Sequence, residues 1–109
     1  MKSDTDLAKL FAALAHPTRV AVLRALLRHC QTGLKFGDLA KELGASPSTL
    51  KHHLDEMHSA GVLRRTVRGR ATLLSLDLGG LTDAASELAR LCCVADPGPT
   101  PLLNKEPDP

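Results

Sequence analysis

The spacing of apolar side chains predicts two amphipathic helices at the start of the chain. In residues 4–15, DTDLAKLFAALA, apolar positions recur every three or four residues, which is the spacing of one helix face. Those positions are Leu7, Leu10, Phe11 and Leu14. Asp4 or Thr5 is expected to cap this helix. Residues 16–30, HPTRVAVLRALLRHC, predict a second helix with Pro17 in its first turn. We expect its buried stripe to be Val20, Leu23 and Leu27.

Two shorter helices are predicted next, joined by a tight turn. KFGDLAKELG, residues 35–44, predicts a third helix that ends at Gly44. Its expected buried face is Phe36, Leu39 and Leu43. ASPSTLKHHLDEMHSAG, residues 45–61, predicts a fourth helix with Ser46 as its cap, Pro47 as its first residue and Gly61 as its stop. The apolar face that we expect to pack against the third helix is Leu50, Leu54 and Met57.

The hydrophobic period then changes from that of helices to that of strands. VLRRTV and ATLLSLDL predict two strands about the tight basic turn RGR at residues 68–70. A fifth helix is predicted from about Leu81 to Val94, with a stripe of Leu81, Ala84, Leu88, Leu91 and Val94. Five prolines in residues 97–109 argue against a regular element there. We therefore expect one folded domain over residues 1–95 and a proline-rich, flexible tail over residues 96–109.

Composition limits the core and the compartment. The chain has 109 residues, 43% of them apolar, which suits one small domain. It has no Trp or Tyr and two Phe, so the core must consist of Leu, Ala and Val. The absence of a membrane-length apolar run and of a signal-peptide pattern predicts a cytoplasmic chain. Three cysteines, an odd number, argue against a disulfide framework.

The distribution of charge is more informative than its total. A net charge of +2 is too small to indicate a nucleic-acid partner by itself. Residues 46–70, however, hold five Lys or Arg against two acidic residues, whereas residues 96–109 hold one Lys against three acidic residues. The basic charge is therefore concentrated in the fourth helix and the hairpin, where a polyanion can meet it.

These elements together predict a mainly α fold with a small β-hairpin, the winged helix-turn-helix. Two short helices joined at LGAS place the second one for the major groove of DNA, and the basic hairpin forms the wing. We predict that the DNA-contacting residues are Ser46, Ser48, Thr49, Lys51, His52, Arg65, Arg68 and Arg70. A purely solvated RGR turn is the alternative for the wing.

Two residues near the predicted DNA-contacting face, His53 and Arg64, are expected to have structural roles rather than to contact DNA. His53 lies beside the apolar stripe of the fourth helix, so we expect a packed and hydrogen-bonded histidine. Arg64 is interpreted as a solvated charge on an edge strand. The five histidines fall on or beside the predicted helix-turn-helix, and no phosphate-binding glycine loop, CxxC or HExxH motif is present. An enzyme is therefore not expected. A winged helix that binds a protein partner is also disfavoured, because it would have an uncharged wing, whereas this wing carries RGR.

LAHPTRVAVLRALL, DLAKELGASPSTLKHHLDEMHSAGVL and RGRATLLSL resemble the ArsR/SmtB family of winged-helix repressors. The resemblance covers roughly residues 7–94. It implies a homodimer built from the first and fifth helices, a palindromic double-stranded DNA operator, and release of that operator when an inducer binds. In this family the inducer is often a metal or metalloid, and no cofactor is required for DNA binding.

The two best-known inducer sites of that family are not matched by this sequence. One uses a Cys-x-Cys pair at the start of the third helix, where this chain has Lys35 and Gly37. The other uses Asp and His on the fifth helix, where this chain has Asp83 and Glu87 but no histidine. A tetrahedral zinc site is therefore disfavoured. We interpret Asp83 as a capping residue and Glu87 as part of a solvated face.

The cysteines are the remaining candidates for an inducer site. Cys92 and Cys93 are adjacent near the end of the fifth helix, and Cys30 ends the second. Thiols suit trivalent arsenic or antimony, inorganic or methylated, with Cys30 as a possible third donor. In this pair of cysteines the chain resembles some arsenic-responsive members of the family, which place vicinal cysteines at the end of the fifth helix and a further cysteine downstream. No cysteine follows Cys93 here, so an organic arsenical, which needs two thiols, is favoured over arsenite. Two alternatives stay open: simple packing of the pair, or a persulfide or redox bridge between Cys30 and the pair.

Overall fold

The predicted order of five helices and a hairpin is confirmed, and one short strand is added. The computed structural model describes the backbone of residues 3–95 and the side chains of residues 3–90. Its elements are α1 (Asp4–Ala13), α2 (Pro17–Arg28), β1 (Leu34–Lys35), α3 (Phe36–Leu43), α4 (Pro47–Ser59), β2 (Leu63–Arg68), β3 (Ala71–Leu76) and α5 (Leu78–Ala95). The predicted proline-rich tail lies outside the described residues.

The first two helices are capped by side chains that precede them. Ser3 Oγ accepts a hydrogen bond from the Asp6 backbone N–H at 3.1 Å, and Asp6 Oδ2 accepts one from the Ser3 N–H at 3.4 Å. This reciprocal capping box makes Ser3 the cap of α1, so the expectation of Asp4 or Thr5 was wrong. His16 Nδ1 caps α2 by accepting from the Thr18 N–H at 3.1 Å, and Pro17 is the first helical residue as predicted.

The turn between α3 and α4 has the predicted geometry. Gly44 closes α3 with a φ of 63°, a left-handed conformation that costs glycine nothing. Ser46 Oγ then accepts from the Thr49 N–H at 3.4 Å and Pro47 begins α4. Only three residues, Gly44, Ala45 and Ser46, separate α3 from α4, so the connection leaves little freedom in the direction of α4 relative to α3.

A three-stranded antiparallel sheet in the order β1-β3-β2 supports the wing. β2 pairs with β3 over six positions, from Leu63 opposite Leu76 to Arg68 opposite Ala71. β1 adds two pairs to the other edge of β3, Leu34 opposite Leu74 and Lys35 opposite Leu73. The sequence did not predict β1, because two residues are too few to show an alternating pattern.

The core lies where the helices meet the sheet. Its fully buried large side chains are Leu10, Leu26, Leu39, Leu50, Leu54, Met57, Leu74, Val22 and Val62. The apolar face of α4 is buried as predicted. On α3, Leu39 is fully buried, and Phe36 and Leu43 pack partly buried against the core. The predicted stripe of α2 was wrong in part. Leu23 packs partly buried against the core, but the fully buried residues are Val22, Ala25 and Leu26, and Leu27 is 49% exposed. α2 is apolar on more than one side, and its contacts with α3, α4 and β3 select this face.

α5 begins earlier than predicted, at Leu78. Asp77 Oδ1 accepts from the Gly80 N–H at 3.1 Å and so caps its first turn, whereas Asp83, the expected cap, is exposed inside the helix. Ala84 is buried, Leu81 is partly buried and Leu88 is 50% exposed. The side chains of Leu91 and Val94 lie outside the described part.

Among the described residues, no single helix is long and apolar enough to cross a membrane, and α1 and α2 satisfy that criterion only as a pair bent by 93°.

Replacing Gly33 by alanine is expected to lower the free energy of unfolding by about 1–3 kcal/mol. Gly33 has a φ of 76°, and a Cβ there would lie 2.9 Å from Leu73 Cγ and 3.1 Å from the Leu74 carbonyl oxygen. Gly37→Ala is the matched control, because a Cβ at Gly37 meets nothing within 4 Å and alanine favours a helix. Denaturant unfolding at one fixed protein concentration measures both; equal stability of the two variants would contradict the strain at Gly33.

Candidate nucleic-acid interface

The outward face of α4 carries the polar residues that were predicted from the sequence to contact DNA. Ser46, Ser48, Thr49, Lys51 and His52 are all exposed, while the opposite face of the helix is buried. The burial of one face therefore turns the other outward, as the helical period predicted. Ser46 has a second task, since its hydroxyl caps the helix.

The wing extends this face with three exposed arginines. Only Leu63 of β2 is buried, and Arg65, Arg68 and Arg70 all lie at the surface. Arg64 is exposed too, but its Nη2 lies 3.3 Å from Asp77 Oδ1, so it is paired with the residue that caps α5. The interpretation of Arg64 as a solvated charge on an edge strand is confirmed, since its side chain is 69% exposed and β2 is at the edge of the sheet; the ion pair with Asp77 was not predicted.

Asp55 lies between two of the basic residues that were predicted to contact DNA. Lys51 Nζ lies 3.0 Å from Asp55 Oδ2, and the Arg65 guanidinium donates to Asp55 Oδ1. The hydrogen bond from Arg65, followed by that from Lys51, lowers the pKa of Asp55 below its usual value. The Lys51–Asp55 pair follows from a four-residue helical spacing, but the approach of Arg65 depends on how the wing packs against α4.

A cleft opens between the start of α3, the outer face of α4 and the wing. It has a volume of about 560 Å³. Its cationic side chains are Lys35, Lys51, Arg65 and Arg70, against one lining carboxylate, Asp38. Phe36 and Leu74 contribute apolar surface. A role for Lys35 in DNA binding was not predicted from the sequence. Lys35 could have been noticed as a basic residue directly before the first helix of the helix-turn-helix motif. The cleft therefore concentrates positive charge beside the recognition helix.

His53 confirms the expectation of a packed, hydrogen-bonded histidine. It is 6% exposed, and Arg19 Nε of α2 donates a hydrogen bond to its Nδ1 at 3.0 Å. The ring of His16 lies 4.6 Å from that of His53, measured between centroids. Burial lowers the pKa of His53, and the charges of His16, Arg19 and His52 act in the same direction. This contact attaches the start of α2 to the inner side of α4.

The cysteines are placed only in part. Cys30 is exposed in the turn after α2, next to Arg28 and His29. Cys92 and Cys93 lie within the bounds of α5, but their side chains are outside the described ones. Within the described residues, no three His, Cys, Asp or Glu side chains are grouped so as to hold a metal ion. Glu87, interpreted as part of a solvated face, is hydrogen-bonded to Arg90.

A three-stranded sheet with a basic wing, packed beside two helices joined by a tight turn, defines a winged helix-turn-helix protein of the transcriptional-regulator class, not an enzyme. Residues 16–65 match the family model described as "Bacterial regulatory protein, arsR family". The HTH-type transcriptional regulator CmtR of Mycobacterium tuberculosis is 34% identical over 94 residues, which is 85% of this chain and 76% of CmtR. The chain belongs to the arsR family.

Solved structures of transcriptional regulators share the fold. An ArsR-like transcriptional regulator from Rhodococcus sp. RHA1 superposes with a TM-score of 0.74 at 26% identity, covering 84% of each chain. The antimony-specific transcriptional repressor AntR gives a TM-score of 0.61 at 27% identity, covering 80% of this chain and 78% of AntR. The similarity extends beyond the helix-turn-helix segment to most of the domain.

The stability of the fold is expected to fall below about pH 6.5 because of His53. Its pKa in the folded state lies below the ordinary value of 6.5, so the fold favours the neutral ring. The stability contributed by that preference is present above pH 6.5 and is lost as the pH falls through 6.5 towards the folded-state pKa. His53→Gln keeps an acceptor for Arg19 but does not titrate. Urea unfolding from pH 8 to pH 5 should therefore show a smaller decline for this variant; parallel curves would contradict the assignment.

Proposed function

We propose that this chain is a homodimeric repressor that binds a palindromic operator through α4 and the wing. It releases the operator when a trivalent arsenical or antimonite binds cysteine thiols. The observation that carries the DNA-binding part is the continuous exposed face formed by α4 and the wing, with the cationic cleft between them. Its breadth and charge suit a duplex whose phosphates flank the major groove.

The residues of this face divide into two roles. Ser48, Thr49 and His52 carry short donors and acceptors on the outer side of α4, which suits base edges and nearby phosphates. The cationic side chains suit phosphates and the minor groove; they are Lys51, Arg65, Arg68 and Arg70. Ser46 presents its backbone and hydroxyl at the start of α4, where the helix dipole also favours a phosphate.

The proposed dimer is supported by apolar side chains left exposed on the terminal helices. Phe11 on α1 is 42% exposed, and Leu78 and Leu88 on α5 are 47% and 50% exposed. A second copy packing against α1 and α5 covers these side chains and places two α4 helices for two half-sites of a palindrome.

Lys51→Ala and Arg68→Ala should each weaken DNA binding and reduce its dependence on salt. Each lost phosphate contact lowers the slope of log K against log salt by about 0.9. Arg24→Ala is the matched control, because it removes the same charge from α2, which belongs neither to the proposed face nor to the proposed dimer helices. Fluorescence anisotropy on a duplex from the chain's own upstream DNA, over a range of salt, measures both quantities. Slopes unchanged in both variants would refute the assigned face.

The inducer site is proposed at Cys92 and Cys93, with Cys30 as a third donor. Soft trivalent centres prefer thiolates, and the structural neighbour AntR is an antimony-specific repressor. Neighbouring positions of a helix point about 100° apart, so binding of one centre by both thiols requires the last turn of α5 to open. Because α5 is also a proposed dimer element, this opening transmits the signal to the spacing of the two α4 helices.

Cys92→Ser with Cys93→Ser should abolish release of DNA while leaving its affinity intact. A gel shift is titrated separately with methylarsenite, arsenite, antimonite and zinc under reducing conditions, and with a polysulfide in the absence of reductant. A tenfold to hundredfold loss of wild-type affinity corresponds to a coupling of about 1.4–2.8 kcal/mol. Cys30→Ser is the matched single variant and tests the third donor. An unchanged response of the double variant would exclude the pair as the sensor, and loss of folding would support simple packing.

A second candidate function is a persulfide- or redox-responsive repressor that links Cys30 with Cys92 or Cys93. The exposure of Cys30 favours it, because an accessible thiol can react with a polysulfide. Release of DNA by polysulfide, reversed by a reductant and lost in Cys30→Ser, distinguishes this function from arsenical sensing.

A further inference from the structure

We propose that Asp55 competes with DNA phosphates for Lys51 and Arg65 and thereby lowers the affinity of the protein for DNA that lacks the operator sequence. Asp55 is then a specificity-determining residue of the recognition face. This inference rests on the proposed binding of DNA by α4 and the wing.

The carboxylate of Asp55 is fully engaged by these two cations. Its Oδ2 lies 3.0 Å from Lys51 Nζ, one turn earlier on α4, and its Oδ1 accepts from the Arg65 guanidinium of β2. The two contacts therefore use both oxygens and join two different elements of the face. Asp38 also lies at the cleft, but it forms no ion pair within the described residues. Asp55 is therefore the carboxylate that can compete with DNA phosphates for these cations.

The three side chains remain open to an approaching duplex. Their exposed fractions are 69% for Lys51, 42% for Asp55 and 30% for Arg65. Exposed ion pairs contribute little to stability, so a phosphate can displace the carboxylate without unfolding its surroundings. Lys51 and Arg65 also line the cationic cleft, which places the exchange on the same surface that faces DNA.

Carboxylate and phosphate are alternative partners for the same cations. Guanidinium and ammonium groups donate to either anion with similar geometry. Binding to arbitrary DNA depends almost entirely on phosphate contacts, whereas operator binding also gains from base edges. A penalty that acted equally on both complexes would leave the ratio of the two affinities unchanged. The ratio rises because base contacts hold the operator in one register, in which its phosphates displace the carboxylate, whereas arbitrary DNA has no such register. The cost is a lower absolute affinity, and the gain is a higher ratio between the two affinities.

Asp55→Asn tests this inference, since it removes the charge and nearly preserves the shape. Glu56→Gln is the matched control: it makes the same change of charge at the next position of α4, on the side facing α1 near Lys9 and Arg19. Affinities are measured for an operator duplex that the wild-type protein selects from randomised DNA, and for a scrambled duplex of the same composition. Both are measured over a range of salt.

Asp55→Asn should bind the scrambled duplex about threefold to tenfold more tightly than the wild type, with a smaller gain on the operator. Its salt slope on scrambled DNA should steepen by up to about 0.9 per protomer. Glu56→Gln should leave the ratio of the two affinities unchanged. Thermal unfolding checks that each variant is folded, and Asp55→Ser provides a second uncharged variant at the same position.

Four results would overturn the inference. The first is an equal gain in affinity for both duplexes, and the second is the same change of the affinity ratio in Glu56→Gln. The third is no change of either affinity in Asp55→Asn. The fourth is a loss of operator binding by a folded Asp55→Asn, which would make Asp55 a direct base contact or a structural support of the face. If the wild-type protein bound no duplex, the proposed DNA binding itself would fail, and this inference with it. DNA binding by the wild type with an unchanged ratio in Asp55→Asn refutes this inference alone.

Discussion

The burial of one face of α4 is the constraint on which the rest of the surface depends. Leu50, Leu54 and Met57 are removed from water, and His53 joins them through its hydrogen bond to Arg19. A helix held this way cannot rotate about its axis without exposing apolar area, at about 25 cal/mol per Å². The outward residues are thus fixed by the inward ones, and the recognition face is a consequence of core packing.

The same face is electrostatically mixed rather than uniformly basic. Asp55 ties Lys51 of α4 to Arg65 of β2, and Arg64 is tied to Asp77 at the start of α5. These pairs are exposed, so they stabilise the fold little, but they determine where each cation points in the free protein. For a DNA-binding regulator among many competing sites, the ratio of operator affinity to nonspecific affinity matters more than the operator affinity alone.

Local sequence signals predicted much of this structure, and tertiary contacts account for what they missed. The α3–α4 turn was predictable because Gly44 and the Ser46-Pro47 pair act on their own neighbourhood. The outward residues of α4 followed from its period. By contrast, the face that α2 buries depends on its neighbours, and the contact of Asp55 with Arg65 joins residues that only the folded wing brings together. The hydrophobic periodicity of the sequence predicts neither the buried face of α2 nor the contact between Asp55 and Arg65.

The junction between β1 and α3 has a mechanical consequence. Lys35 is both the last residue of β1 and the cap position of α3, so the chain passes from sheet to helix without a linker. β1 is in turn paired with β3, the central strand that carries the wing. Backbone hydrogen bonds, rather than a connecting loop, therefore set the position of the start of α3 relative to the strands of the wing.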